Sequence, residues 1–157
     1  TRFGVNSATA SASLYGGGGD DTVALTGSTL AVNGSAIVDG GDGNDTLPLQ
    51  ASTVADGPSA LATLGGGIGA DLMVFGGSTL ANRGDAVVDG GADNDTFIIG
   101  GASRVAVSGS ASLFGSAGSD TLDIQGSTVA IHGRALFDLG DDDDTLALAN
   151  ATRSVRR

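Results

Sequence analysis

The chain of 157 residues contains no cysteine, tryptophan, glutamate or lysine, a single histidine, and only two prolines. Without cysteine there is neither a disulfide framework nor a thiol nucleophile. The one histidine, His132, sits beside Gly133 at a bend and reads as a solvated turn residue rather than a general base. No serine lies in a recognisable triad setting, so catalysis is not expected. No apolar run is long enough to cross a bilayer, and membrane insertion is not expected either. All seven basic residues are arginine, and the net charge of −11 argues against a nucleic-acid partner.

What the chain does have is glycine, 28 residues of it, and aspartate, which supplies all 18 acidic groups. The two occur together. Gly40 to Pro48 reads GGDGNDTLP, Gly16 to Ala24 reads GGGGDDTVA and Gly66 to Val74 reads GGIGADLMV. Three further copies depart from this pattern: Gly90 to Ile98 has Asp93 at the fourth position, Gly115 to Asp123 has Ser116 at the second, and Leu139 to Ala147 has Leu139 and Asp142 for glycines. The fixed aspartates are Asp21, Asp45, Asp71, Asp95, Asp120 and Asp144, at intervals of 24, 26, 24, 25 and 24 residues.

Each unit has its own apolar pattern. After each fixed aspartate the second and fourth residues are apolar, as in Leu47 and Leu49 or Phe97 and Ile99. Such alternation predicts a strand with one buried face. A second short segment follows a Gly-Ser or Ala-Ser turn, as in Ser28 to Val32 and Ser127 to Ile131. A third segment leads back to the next glycine stretch and aligns Ala12, Ala36, Ala62, Ala86, Ala111 and Ala135 in one column, with Leu14, Val38, Leu64, Val88, Leu113 and Phe137 in another. A unit this small cannot enclose a core alone and must stack on its neighbours. The expected fold is all-β: residues 1–157 form a single parallel β-helix, or β-solenoid, of about six coils with three short strands each, roughly 29 Å long at a strand spacing of about 4.8 Å. Glycine is expected at the bends, where positive φ is needed.

A longer period overlies the coil. The residue before each glycine stretch reads Tyr15, Asp39, Gly65, Asp89, Phe114, Asp138, and the residue two earlier reads Ser13, Ile37, Thr63, Val87, Ser112, Leu136. Odd and even coils therefore differ on the outward face. A coil of 49 residues turning three times is the competing geometry, and the strand pattern inside each half argues against it.

The GGxGxDxUx pattern resembles the RTX, or hemolysin-type, calcium-binding repeats, although those follow one another every nine residues. In that family the ion sits between stacked loops, held by loop carbonyls and the motif aspartate. The resemblance implies Ca2+ ligands at Asp21, Asp45, Asp71, Asp95, Asp120 and Asp144, and Asp39, Asp42, Asp89, Asp93, Asp138 and Asp142 are candidates beside them. Stacking lines these carboxylates up at about 5 Å, where like charges repel and a cation is needed. Calcium suits short carboxylates and carbonyls in flexible geometry.

These features together point to a secreted or cell-surface structural protein that forms a filament, surface layer or adhesin stalk. Neither end, Thr1-Arg2-Phe3 or Arg156-Arg157, carries a recognisable cap. The chain is therefore expected either to be part of a longer repeat protein or to associate head to tail through open solenoid ends, with Arg153, Arg156 and Arg157 meeting acidic loops of a neighbour. The alternative is a carbohydrate-binding or polysaccharide-lyase-like β-helix contacting a glycan through Asp and Arg83, Arg104 or Arg134. Threonine columns without T-x-T pairs do not favour an ice-binding surface.

Overall fold

The computed structural model describes residues 2–3, 11–130 and 132–153. Thr1, Ile131, Arg156 and Arg157, all invoked above, lie outside the described residues.

Coil two shows how the sequence makes the fold. Ser35–Asp42 forms a strand of sheet B, Thr46–Gln50 a strand of sheet C, and Thr53–Val54 a strand of sheet A. Along the first strand Ala36, Val38 and Gly40 face inward while Ile37 and Asp39 face outward; along the second, Leu47 and Leu49 face inward. Each strand then pairs in parallel with its counterpart in the next coil, so that Ala36 meets Ala62, Val38 meets Leu64, Leu47 meets Met73 and Leu49 meets Phe75. Among the described residues sheets B and C each have six strands and sheet A has seven. The fold is a β-solenoid of about six coils, and the pairing offset of 24 to 27 residues disposes of the 49-residue coil.

The core is a stack of like residues. The aligned alanine column is buried from Ala36 to Ala111, and Val38, Leu64, Val88 and Leu113 are buried beside it. Phe75 and Phe97, the bulkiest fully buried side chains, lie in coils three and four in adjacent columns. Each buried side chain contributes on the order of 1.5–3 kcal/mol for a Val, Leu or Phe, and only the stack makes that burial available. Coil six covers coil five, and among the described residues nothing covers coil six in turn: Leu146 and Leu148 are 51% and 61% exposed.

Two local features differ from the expectation. The first three residues of the glycine stretch, such as Gly40, Gly41 and Asp42, are part of the sheet B strand rather than a loop. Inter-coil hydrogen bonds carry on past them, with Gly19 N–H donating to the Asp42 carbonyl and Gly43 N–H to the Ile68 carbonyl, both at 2.7 Å. The bend after sheet A uses alanine at positive φ, with Ala31, Ala55, Ala81, Ala106 and Ala130 at 49–52°. An alanine there costs on the order of 1 kcal/mol over glycine. Ala31, Ala55, Ala81 and Ala106 are fully buried, and this burial offsets the cost.

Candidate functional site: an inward aspartate column

The fixed aspartate follows a tight turn between sheets B and C, and that turn aims its side chain into the solenoid. Asp45, Asp71, Asp95 and Asp120 are at most 2% exposed, and Asp21 and Asp144 at the two ends are partly covered. One carboxylate oxygen of each from Asp45 to Asp144 is used between coils. The backbone N–H of Asp21 donates to Asp45 Oδ1 at 2.7 Å, Asp45 to Asp71 at 2.7 Å, Asp71 to Asp95 at 2.8 Å, Asp95 to Asp120 at 2.7 Å and Asp120 to Asp144 at 2.9 Å. The aspartate carbonyls accept from the next coil as well, as in Leu72 N–H to Asp45 O at 2.8 Å. Asp45, Asp71, Asp95 and Asp120 are thus each fixed by the backbone and by one oxygen.

The other oxygen is not satisfied. Oδ2 of Asp21, Asp45, Asp71, Asp95 and Asp120 is buried with no hydrogen-bond partner among the described residues. A buried acceptor left unmade costs about 1–3 kcal/mol, and more when charged. Burial is the main cause that raises the Asp71 carboxyl to about 6 and the Asp95 carboxyl to about 7, against 3.8 in the open. The N–H donated from the preceding aspartate opposes that rise in both, and neighbouring carboxylates add to it: Asp45, Asp39 and Asp93 for Asp71, and Asp71, Asp120 and Asp89 for Asp95. Asp120 is raised for the same principal reason. A column in this state calls for a proton or a cation at Oδ2.

The glycine at the head of each stretch is what lets the carboxylate pack there. A Cβ placed on Gly66 would lie 2.1 Å from Asp71 Oδ2 and 2.5 Å from the Gly90 carbonyl oxygen; one on Gly115 would lie 2.1 Å from Asp120 Oδ2 and 2.4 Å from the Leu139 carbonyl oxygen. The same arrangement surrounds Gly16, with the Gly40 carbonyl at 2.4 Å and Asp21 Oδ2 at 2.9 Å. In coils one, three and five, an aspartate oxygen and a carbonyl of the following coil thus converge beside the first glycine of the stretch. At Gly40 and Gly90 the three nearest atoms all belong to the coil's own aspartate.

The remaining candidate ligands are placed elsewhere. Asp42, Asp93 and Asp142 are exposed, Asp93 and Asp142 with φ of 80° and 87° at the turn. Asp39 and Asp89 stand half-buried on the outer face of sheet B, and Asp138 is exposed there. Among the described residues no three carboxylates or imidazoles close on one point, so a cation in the column would draw on carbonyl oxygens for most of its shell.

A second inward polar column accompanies the first. Ser28, Ser52, Ser78, Ser103 and Ser127 are buried before sheet A. Ser28, Ser52 and Ser78 each donate a backbone N–H to the next serine hydroxyl, at 3.0–3.2 Å. The hydroxyls of Ser52, Ser78, Ser103 and Ser127 in turn donate to carbonyls of the preceding coil, as Ser78 does to Leu49 at 2.9 Å. The recurrent serine after each turn was the only sequence signal for it. His132 is exposed. Among the described residues the ion pair is Arg83 with Asp56, at 3.8 Å on the surface, and Arg104 and Arg134 are exposed on other strands.

No protein-family model matches this chain, nor does any curated protein or solved structure. Its class is therefore defined by its own geometry: a three-sheet parallel β-solenoid with a polar ladder at two of its corners.

Proposed function

We propose that the chain is a calcium-stabilised structural repeat protein of the cell exterior, extending a filament, surface layer or adhesin stalk by stacking of solenoids, with no catalytic role. The observation that carries the calcium part is the column of buried, unpartnered Oδ2 atoms set against inter-coil carbonyls. These donors fit a hard cation: short carboxylates and carbonyls in an irregular cage suit calcium better than the strict octahedron of magnesium. Asp21, Asp45, Asp71, Asp95, Asp120 and Asp144 would hold the ions, together with carbonyls such as those of Gly40, Gly90 and Leu139. Bound calcium supplies charge neutralisation between coils, and the energy of binding becomes energy of folding. Low calcium inside a cell then leaves the acidic chain unfolded and exportable, and higher calcium outside locks the stack.

The stacking part rests on the two ends of the ladder. Its outer members are the N–H of Asp144 and Oδ1 of Asp21, so a second copy can continue the sequence of bonds head to tail. Exposed Leu146 and Leu148 would be covered in the same step. Sheet A sets a condition: it has one more strand than sheets B and C, so a copy that meets all three must release either Arg2–Phe3 or Thr152–Arg153. Sedimentation in millimolar calcium tests this. Removing residues 1–10 should speed assembly relative to the 157-residue chain, and a monomer at every concentration, with or without those residues, would remove stacking from the account.

A further inference from the structure

The outer face of sheet B carries a row in direct register across all six coils: Tyr15, Asp39, Gly65, Asp89, Phe114, Asp138. Even coils present aspartate. Odd coils present a ring, then glycine, then a ring. Phe114 is seated between Asp89 and Asp138, and the equivalent seat between Asp39 and Asp89 has no side chain, because its residue is Gly65. The result is a depression of about 230 Å³ over coil three, walled by Asp39, Asp89, Ile37 and Thr63. Among the described residues no ion pair engages Asp39 or Asp89, and Asp89 Oδ1 accepts only from Ser116 Oγ, at 2.8 Å.

We propose that this face binds an extended, uncharged β-1,4-linked glycan lying along the solenoid axis. The rings and the empty seat recur every second coil, about 9.6 Å apart. An extended β-1,4 chain presents the same sugar face every second residue at nearly that spacing, so one register serves all three positions. Sugar C–H faces lie on Tyr15, which is 61% exposed, and on Phe114; one sugar ring enters the seat at Gly65. Ring hydroxyls donate to the intervening carboxylates of Asp39, Asp89 and Asp138, as charge-assisted bonds. An acidic glycan is excluded by those same unneutralised carboxylates and by the net charge of −11.

The test is calorimetric titration of the whole chain, in millimolar calcium, with a β-1,4-linked glucose hexamer, a β-1,3-linked hexamer, a polygalacturonate and a cationic glucosamine oligomer. Saturable binding of the β-1,4 hexamer that salt does not weaken is expected, with the β-1,3 hexamer and the polygalacturonate at least roughly tenfold weaker. Gly65→Phe fills the seat; a Cβ there meets nothing nearer than Asp39 Oδ1 at 3.4 Å and the backbone φ is not of the left-handed kind, so the fold is kept. It should weaken binding roughly tenfold, as should Tyr15→Ala at its exposed site, both with an unchanged circular dichroism spectrum. The proposal is overturned if the β-1,4 hexamer does not bind, if both variants bind it as well as the parent, or if only the cationic oligomer binds and salt abolishes it.

Discussion

The two inward polar columns run the length of the same solenoid, at two of its corners, yet one is complete and the other is not. In the serine column the hydroxyls of Ser52, Ser78 and Ser103 each accept an N–H from the preceding coil and donate to a carbonyl of that same coil, so both capacities are used. In the aspartate column Oδ1 is used in the same way and Oδ2 is left over in every coil from Asp21 to Asp120. A neutral hydroxyl was sufficient to join coils at the first corner. The second carries a carboxylate oxygen that has no hydrogen-bond partner among the described residues, packed against glycines whose missing Cβ leaves room for it. The serine corner is a self-sufficient structural ladder, and the aspartate corner is a ladder with one acceptor oxygen to spare in each of those coils.

The contrast can be broken most strongly by pH. Because Asp71 and Asp95 are raised above 3.8 in the folded state, to about 6 and about 7, the folded chain binds more protons than the unfolded one. Their contribution to stability is fully present below about 3.8 and is lost as pH rises through those two values. In chelator the protein should therefore be more stable at pH 5 than at pH 7.5, by on the order of 3 kcal/mol or roughly 10 °C in melting temperature. In saturating calcium the trend should flatten or reverse, since protons then compete with the ion. A chelated protein that melts lower at pH 5 would contradict the charge assignment.

Next in size is Gly66→Ala, whose Cβ would intrude on Asp71 Oδ2 at 2.1 Å and the Gly90 carbonyl at 2.5 Å. A loss of about 3 kcal/mol is expected by chemical denaturation, with calcium no longer restoring coil three. Ser78→Ala should cost about 2 kcal/mol, because Ser52 N–H loses its acceptor. That loss should be equal with calcium and with chelator, which separates the two corners directly. The smallest change is Asp71→Asn: it keeps the Oδ1 acceptor for Asp45 N–H and turns a donor toward the space shared with the Gly90 carbonyl. It should gain about 1 kcal/mol in chelator and lose part of the calcium response.

Much of this was legible in the residues. The apolar columns and the aligned alanines announced the coil, and the fixed aspartates marked the glycine edge. Period-two alternation also placed Ile37, Asp39, Val87 and Asp89 on the outer face, where they stand. What the residues did not disclose was which way the fixed aspartate points, because its direction depends on the turn at Gly43 or Gly69 and on the next coil's N–H. For the same reason Asp42, Asp93 and Asp142, adjacent in sequence to the column, are exposed at the turn. The serine column was overlooked because serine after a turn reads equally well as a solvated residue; only stacking turns it into a buried acceptor. Alanine at left-handed φ was hidden as well, since its stabilising burial comes from the coils on either side.

The account stands or falls on a melt of the purified full chain followed by circular dichroism, in millimolar calcium, in excess chelator at pH 7.5, and in magnesium. It predicts a β-sheet spectrum with a melting temperature at least about 10 °C higher in calcium than in either of the others. Coincident melts in all three would mean that the buried carboxylates are satisfied without calcium, and the aspartate corner would then be, like the serine corner, a structural ladder only.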